Sequence, residues 1–133
     1  MKYILLCMCL LSLLGCGTDT KTQQDTKPTT TANEQAKTEQ DARVMAAKQA
    51  LSSGDYAKAI EEATASIKDN PNNADAYSIR GFATALNGDT TKGLADTKKA
   101  YDLDPNNVAN YYNMAMVYKL QGQLNESKQW FEK

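Results

Sequence analysis

The 133-residue sequence contains no histidine. That removes the commonest general base, the commonest metal ligand and the ordinary pH switch. Cysteine is confined to Cys7, Cys9 and Cys16, so nothing after residue 16 can form a disulfide, offer a thiolate nucleophile or hold a Cys-based zinc ion. Lys and Arg nowhere form a block. With 15 basic and 16 acidic residues the formal net charge is −1, which leaves no electrostatic footprint for nucleic acid. No glycine-rich phosphate loop is present. The carboxylates are scattered, and the adjacent Glu61 and Glu62 read as a solvated helix face rather than a general acid/base pair. The residues therefore supply no catalytic, cofactor-binding or metal-ligating set, and the chain is expected not to be an enzyme.

What is present is a stretch that occurs twice. Pro71-Asn72-Asn73-Ala74-Asp75-Ala76-Tyr77 returns 34 residues later as Pro105-Asn106-Asn107-Val108-Ala109-Asn110-Tyr111, and Gly54, Gly88 and Gly122 keep the same step. A fixed period of this length marks a repeat architecture. In register, the units are 40–73, 74–107 and 108–133. Each opens with a segment of helical period: Tyr111, Met114, Ala115 and Tyr118 fall at i, i+3, i+4 and i+7. Tyr77, Gly81 and Thr84 share that stripe in the second unit, with Arg80 at the remaining place. In the first unit it is Arg43, Ala46, Ala47 and Ala50.

A glycine suited to the left-handed position ends each first helix, and Asp55 or Asp89 can cap the next one. The second helices bring Tyr56, Ala59, Ile60, Ala63 and Ile67, then Leu94, Ala100 and Tyr101, then Leu124, Ser127 and Phe131 to an inner face. Asn-Pro or Asp-Pro stops each completed pair, and Asn73 or Asn107 caps the helix that follows.

This pattern resembles the tetratricopeptide repeat (TPR), a 34-residue helix–turn–helix unit. Tyr77 and Tyr111 match its first aromatic place, Gly81 and Ala115 the small one and Tyr118 the second aromatic. In the second helix Ala59 matches the small place, Phe131 the aromatic, Ala100 the later small one, and Pro71 and Pro105 the closing proline. The resemblance covers about residues 40–133 and implies an all-α fold, a short α-solenoid. Arg43 departs from the pattern in a degenerate first unit, and Gly93 and Thr97 are expected to weaken the second helix of the second unit. The third unit stops inside its second helix, which reads either as a fragment of a longer chain or as a self-association surface at the open C-terminal end.

Ahead of the repeats, Lys2 precedes an apolar run over residues 3–14, too short to span a bilayer as a helix. It reads as a signal peptide over residues 1–15; the alternative is a buried N-terminal helix. Leu13-Leu14-Gly15-Cys16 resembles the lipobox of bacterial lipoproteins, which implies cleavage before Cys16 and attachment of lipid to its thiol. Two acyl chains anchor stably at about 0.8 kcal/mol per buried CH₂. The resemblance implies an extracytoplasmic location, in the outer membrane where the cell has one, since Gly17 rather than Asp follows the cysteine. Residues 16–39 hold eight threonines, one proline and no Val, Ile, Leu, Met or aromatic residue. Such a segment is expected to be a disordered tether, reaching on the order of 25–30 Å, although Asn33 could cap a helix running into the first repeat.

The family resemblance implies a concave groove lined by first helices, taking a peptide or a partner helix. Val44, Lys48, Ser78, Phe82, Tyr112, Met116 and Lys119 fall at the groove-facing places. Phe82, Tyr112 and Met116 suggest an apolar strip edged by Lys48 and Lys119, suited to an amphipathic segment. The competing reading is that the same residues pack against neighbouring helices. Only Lys48 and Asn113 stand at places usable by the family's carboxylate clamp, so that clamp is not expected. The chain reads as a membrane-anchored interaction module or scaffold, as in envelope assembly. The alternative is a tether and spacer for an enzymatic or ligand-binding domain beyond Lys133.

Overall fold

The computed structural model describes residues 32–133; the expected signal peptide, Cys16 and most of the tether lie outside them. Six helices follow one another: α1 (Ala32–Ser52), α2 (Tyr56–Asp69), α3 (Ala74–Leu86), α4 (Thr90–Leu103), α5 (Val108–Leu120) and α6 (Leu124–Phe131). There is no strand among the described residues. The protein is an all-α helical repeat solenoid.

The turns follow from the repeated residues. Gly54, Gly88 and Gly122 take φ of 78°, 107° and 77°. That left-handed bend lets the following residue's N–H reach back five positions: Asp55 to Ala50 O, Asp89 to Thr84 O and Gln123 to Tyr118 O, at 2.9–3.0 Å. Asp55 then accepts from the Lys58 N–H and Asp89 from the Lys92 N–H, so each glycine-Asp pair ends one helix and starts the next. Gln123 makes no such side-chain bond. Between units, the Asn70 side chain accepts from the Asn72 N–H at 3.0 Å and Asp104 from the Asn106 N–H at 3.2 Å. Asn73 and Asn107 cap α3 and α5.

Small side chains build the core. Ala47, Ala59, Ala63, Ala76, Ala83, Ala100 and Ala115 are completely buried, with Met114 and Val117 as the large side chains among them. Alanine lets helix axes approach, and at the centre glycine brings two helices closer still. A Cβ on Gly93 would stand 2.6 Å from the Gly81 carbonyl oxygen and 2.7 Å from Ala85 Cβ. The backbones of α3 and α4 therefore touch. α4 nonetheless runs unbroken through Gly93 and Thr97, the residues expected to weaken it, and Gly93 serves as its contact with α3. The buried Thr97 hydroxyl is satisfied by the Gly93 and Leu94 carbonyls, each 3.1 Å away.

Two further expectations change. Residues 32–39, assigned to the tether, are helical, and α1 starts at Ala32 with Asn33 inside its first turn. Ala32, Glu34, Gln35, Ala36, Lys37 and Glu39 are good or fair helix formers, and docking of the later turns of α1 nucleates the whole helix. In α6, Ser127 is buried, whereas Leu124 and Phe131 are 65 % and 51 % exposed. Their counterparts in earlier units are shielded by the helix of the next unit; here, among the described residues, no helix lies beyond α6.

Candidate functional site

The first helices define one side of the array. α1 touches α3 and α3 touches α5, whereas α2, α4 and α6 make no contact with one another. Contact along one row and none along the other bends the array so that α1, α3 and α5 line its inner, concave face.

Polar side chains stitch this face across the units. Lys48 Nζ donates to Asp75 Oδ2 at 2.8 Å, and Asn107 Nδ2 donates to Asp75 Oδ1 at 3.1 Å. Asp75 thus joins α1, α3 and the cap of α5. Further along, Asn113 Nδ2 donates to Ser78 Oγ at 2.8 Å. Asn110, completely buried, donates through Nδ2 to the Ala100 and Asp104 carbonyls at 3.1 and 2.9 Å, which ties α5 to the end of α4.

The seven expected groove residues divide. Val44 and Ser78 are buried: Val44 packs with Ala47, Ala63, Ala76 and Ile79, and Ser78 is covered by Asn113. These two are inter-unit contacts, because the helices approach more closely than spacing alone reveals. Lys48 is exposed but engaged by Asp75. Phe82 and Met116 are half-buried, and Tyr112 and Lys119 are exposed. Phe82 follows Ser78 by one turn, and Met116 follows Tyr112 by one turn, so all four stand along one face. Tyr112 also meets the Phe131 ring edge-on, with centroids 5.8 Å apart. What remains reachable is an apolar strip of Phe82, Met116 and Tyr112. The two amines at its edges differ: Lys48 is neutralised by Asp75, and Lys119 is exposed.

A second concavity lies outside that face. Ile60 of α2, Arg80, Thr84 and Asn87 around α3, and Asp89, Lys92, Ala95 and Asp96 around α4 enclose a cleft of about 500 Å³. Arg80 grips Asp96 with two parallel bonds of 2.7 and 2.8 Å and lies over the Tyr77 ring. The Asp96 carboxylate raises the Arg80 pKa above its ordinary value, against the opposing effect of burial. At the rim, hydrogen bonds from Lys92 hold the Asp89 carboxyl below its ordinary pKa. Both cations are therefore paired within the cleft. By spacing, Arg80 occupies the remaining place of the Tyr77, Gly81 and Thr84 stripe. The available signal was that a cation at a stripe position requires an acidic partner on the neighbouring helix.

Among the described residues no three His, Cys, Asp or Glu side chains are placed to hold a metal, and no helix is long and apolar enough to cross a membrane.

Residues 97–129 match the tetratricopeptide-repeat family model. The structure is similar to that of the second TPR of Spaghetti (RPAP3) bound to the HSP90 peptide SRMEEVD. The TM-score is 0.65 at 26 % identity, over 74 % of this chain and 85 % of that one. The chain thus contains a TPR repeat, and its helices are arranged like those of a peptide-bound TPR protein.

Proposed function

We propose that the α1/α3/α5 face holds a short, largely apolar segment of a protein partner. The single observation that carries this reading is the placement of Phe82, Met116 and Tyr112 along the inner face of an array whose structural relative was captured with a peptide. The relative's peptide ends in Glu-Glu-Val-Asp. Here the two residues at clamp places are already engaged, Lys48 by Asp75 and Asn113 by Ser78. Asp75 also adds a carboxylate to the face. An acidic C-terminus is therefore disfavoured, and apolar side chains with few acids complement the strip.

The test selects peptides from a random display library on the 133-residue chain. The selected peptides are then measured by fluorescence anisotropy against wild type and Phe82→Ala/Met116→Ala. Selected peptides should be rich in apolar residues and lose about tenfold or more in affinity for the double variant, as removal of two anchors implies. Circular dichroism should remain unchanged. Full affinity for the double variant would sink the groove assignment.

The anchored, extracytoplasmic part of the reading rests on Leu13-Leu14-Gly15-Cys16 alone. On it, Cys16 carries the lipid, the following segment spaces the array from the membrane, and the array serves as a scaffold at the cell envelope. Cys16→Ser should then leave the chain uncleaved and without lipid. Normal processing of that variant would remove this part while leaving the groove untouched.

A further inference from the structure

The cleft outside the concave face sits where the repeat departs from its own pattern. α2 and α4 do not touch, and α3 forms the floor of the gap between them. On that floor Thr84 stands at the place that Tyr118 holds one unit later, and Arg80 at the place of Met114. A small hydroxyl and a cation thus replace two large, mainly apolar side chains, and a hollow of about 500 Å³ is left. Its lining comes from α2, α3, α4 and the turn between the last two. No lining residue comes from α1 or α5, so the cleft is separate from the concave face.

The charges of the cleft cancel. Arg80 is paired with Asp96, and Lys92 with Asp89. An ion entering the cleft would have to break one of these pairs before it could be held. A wholly apolar ligand would strip water from the pairs without replacing its hydrogen bonds. Capacity for hydrogen bonds nevertheless remains. Arg80 uses Nε and Nη2 on Asp96 and keeps Nη1, and each Asp96 oxygen accepts one of these bonds with a lone pair to spare. The Thr84 hydroxyl and the Asn87 side-chain amide have no partner among the described residues. Ile60 and Ala95 add apolar wall. Donors beside acceptors at zero net charge suit a ligand whose own groups both donate and accept. Hydroxyls do so, and a pyranose ring carries several of them around an apolar C–H face. We infer that this cleft binds a neutral sugar, of about one or two rings by its volume.

An amide chemical-shift titration of the 133-residue chain tests this, in a detergent without a sugar headgroup. The probes are glucose, galactose, N-acetylglucosamine and maltose, with sodium acetate and ethylammonium chloride as charged controls. At least one sugar should move the amides of Thr84, Asn87 and Ala95, with a Kd of about 1–10 mM, the strength that a ligand of this size reaches. Neither ion should move them. Thr84→Tyr installs the side chain that the third unit carries at this place. By filling the hollow it should weaken the sugar about tenfold or more. Asn87→Ala, at an exposed position, removes one hydrogen-bonding group and should weaken it about threefold to tenfold. Circular dichroism should be unchanged in both; if Thr84→Tyr loses helicity, Asn87→Ala decides alone. Absence of sugar-induced shifts at these residues, up to about ten times that Kd, would overturn the proposal. So would shifts of the same amides by either ion, or full sugar affinity in either folded variant.

Discussion

Arg80 and Asp96, sixteen residues apart, meet in a two-pronged ion pair: Nε to Oδ2 at 2.7 Å and Nη2 to Oδ1 at 2.8 Å. Both side chains are about four-fifths buried. The pair sits beside the glycine contact between α3 and α4.

Removing one partner strands the other. Asp96→Ala should cost about 2–3 kcal/mol, because the Arg80 guanidinium loses both acceptors at a site with limited water. The double variant Arg80→Met/Asp96→Ala should recover about half of that loss. Urea denaturation of the four proteins of the cycle measures it. Additive losses would show that the pair is not coupled.

Gly93→Ala sets two effects against each other. Alanine favours a helix interior by about 1 kcal/mol. The new Cβ, however, would stand 2.6 Å from a backbone oxygen that cannot rotate away. Overpacking of this kind costs typically 1–3 kcal/mol and sometimes more, so the clash should win. Thermal denaturation should show a lower midpoint for Gly93→Ala. A rise would mean that the α3/α4 contact is looser than it stands here.

Much of this architecture was legible in the sequence, because the turns are local. Glycine at a left-handed φ, an Asp or Asn cap and a proline stop are each dictated by residues within a few positions, and all recur at the 34-residue step. The contacts between units were not legible in the same way. Val44 and Ser78 stand at groove-facing places by spacing, yet both are buried, since spacing says which way a side chain points but not how near the next helix lies. The value of Gly93 depends on Gly81, twelve residues earlier. Arg80 depends on a partner that no local rule names. Ahead of the first repeat, the threonine-rich composition masks the helix propensity of residues 32–39.

Asn110 offers a buried polar contrast. Its Nδ2 supplies the Ala100 and Asp104 carbonyls, and its side chain is fully buried. Asn110→Leu keeps the approximate volume and removes the donors. It should lower stability by about 2 kcal/mol, the cost of leaving buried carbonyls unpaired. Hydrogen exchange should show the loss first at the α4–α5 turn.

Asp75 sets the charge of the concave face. Asp75→Ala would release Lys48 Nζ and remove a carboxylate from the strip. Affinity for a peptide ending in acidic residues should rise, by about two- to fivefold if a single exposed pair forms in its place. Isothermal titration with SRMEEVD against wild type and variant measures this. No gain would mean that Lys48 points away from the bound chain.

The most direct test of the groove is an amide chemical-shift map of the 133-residue chain titrated with a library-selected peptide. Binding at the inner face predicts the largest changes along α3 and α5, around Phe82, Tyr112 and Met116, with α2 and the Arg80–Asp96 cleft unchanged. Changes centred on Ile60, Thr84 and Asp96 instead would contradict the account and move the binding site to the outer cleft.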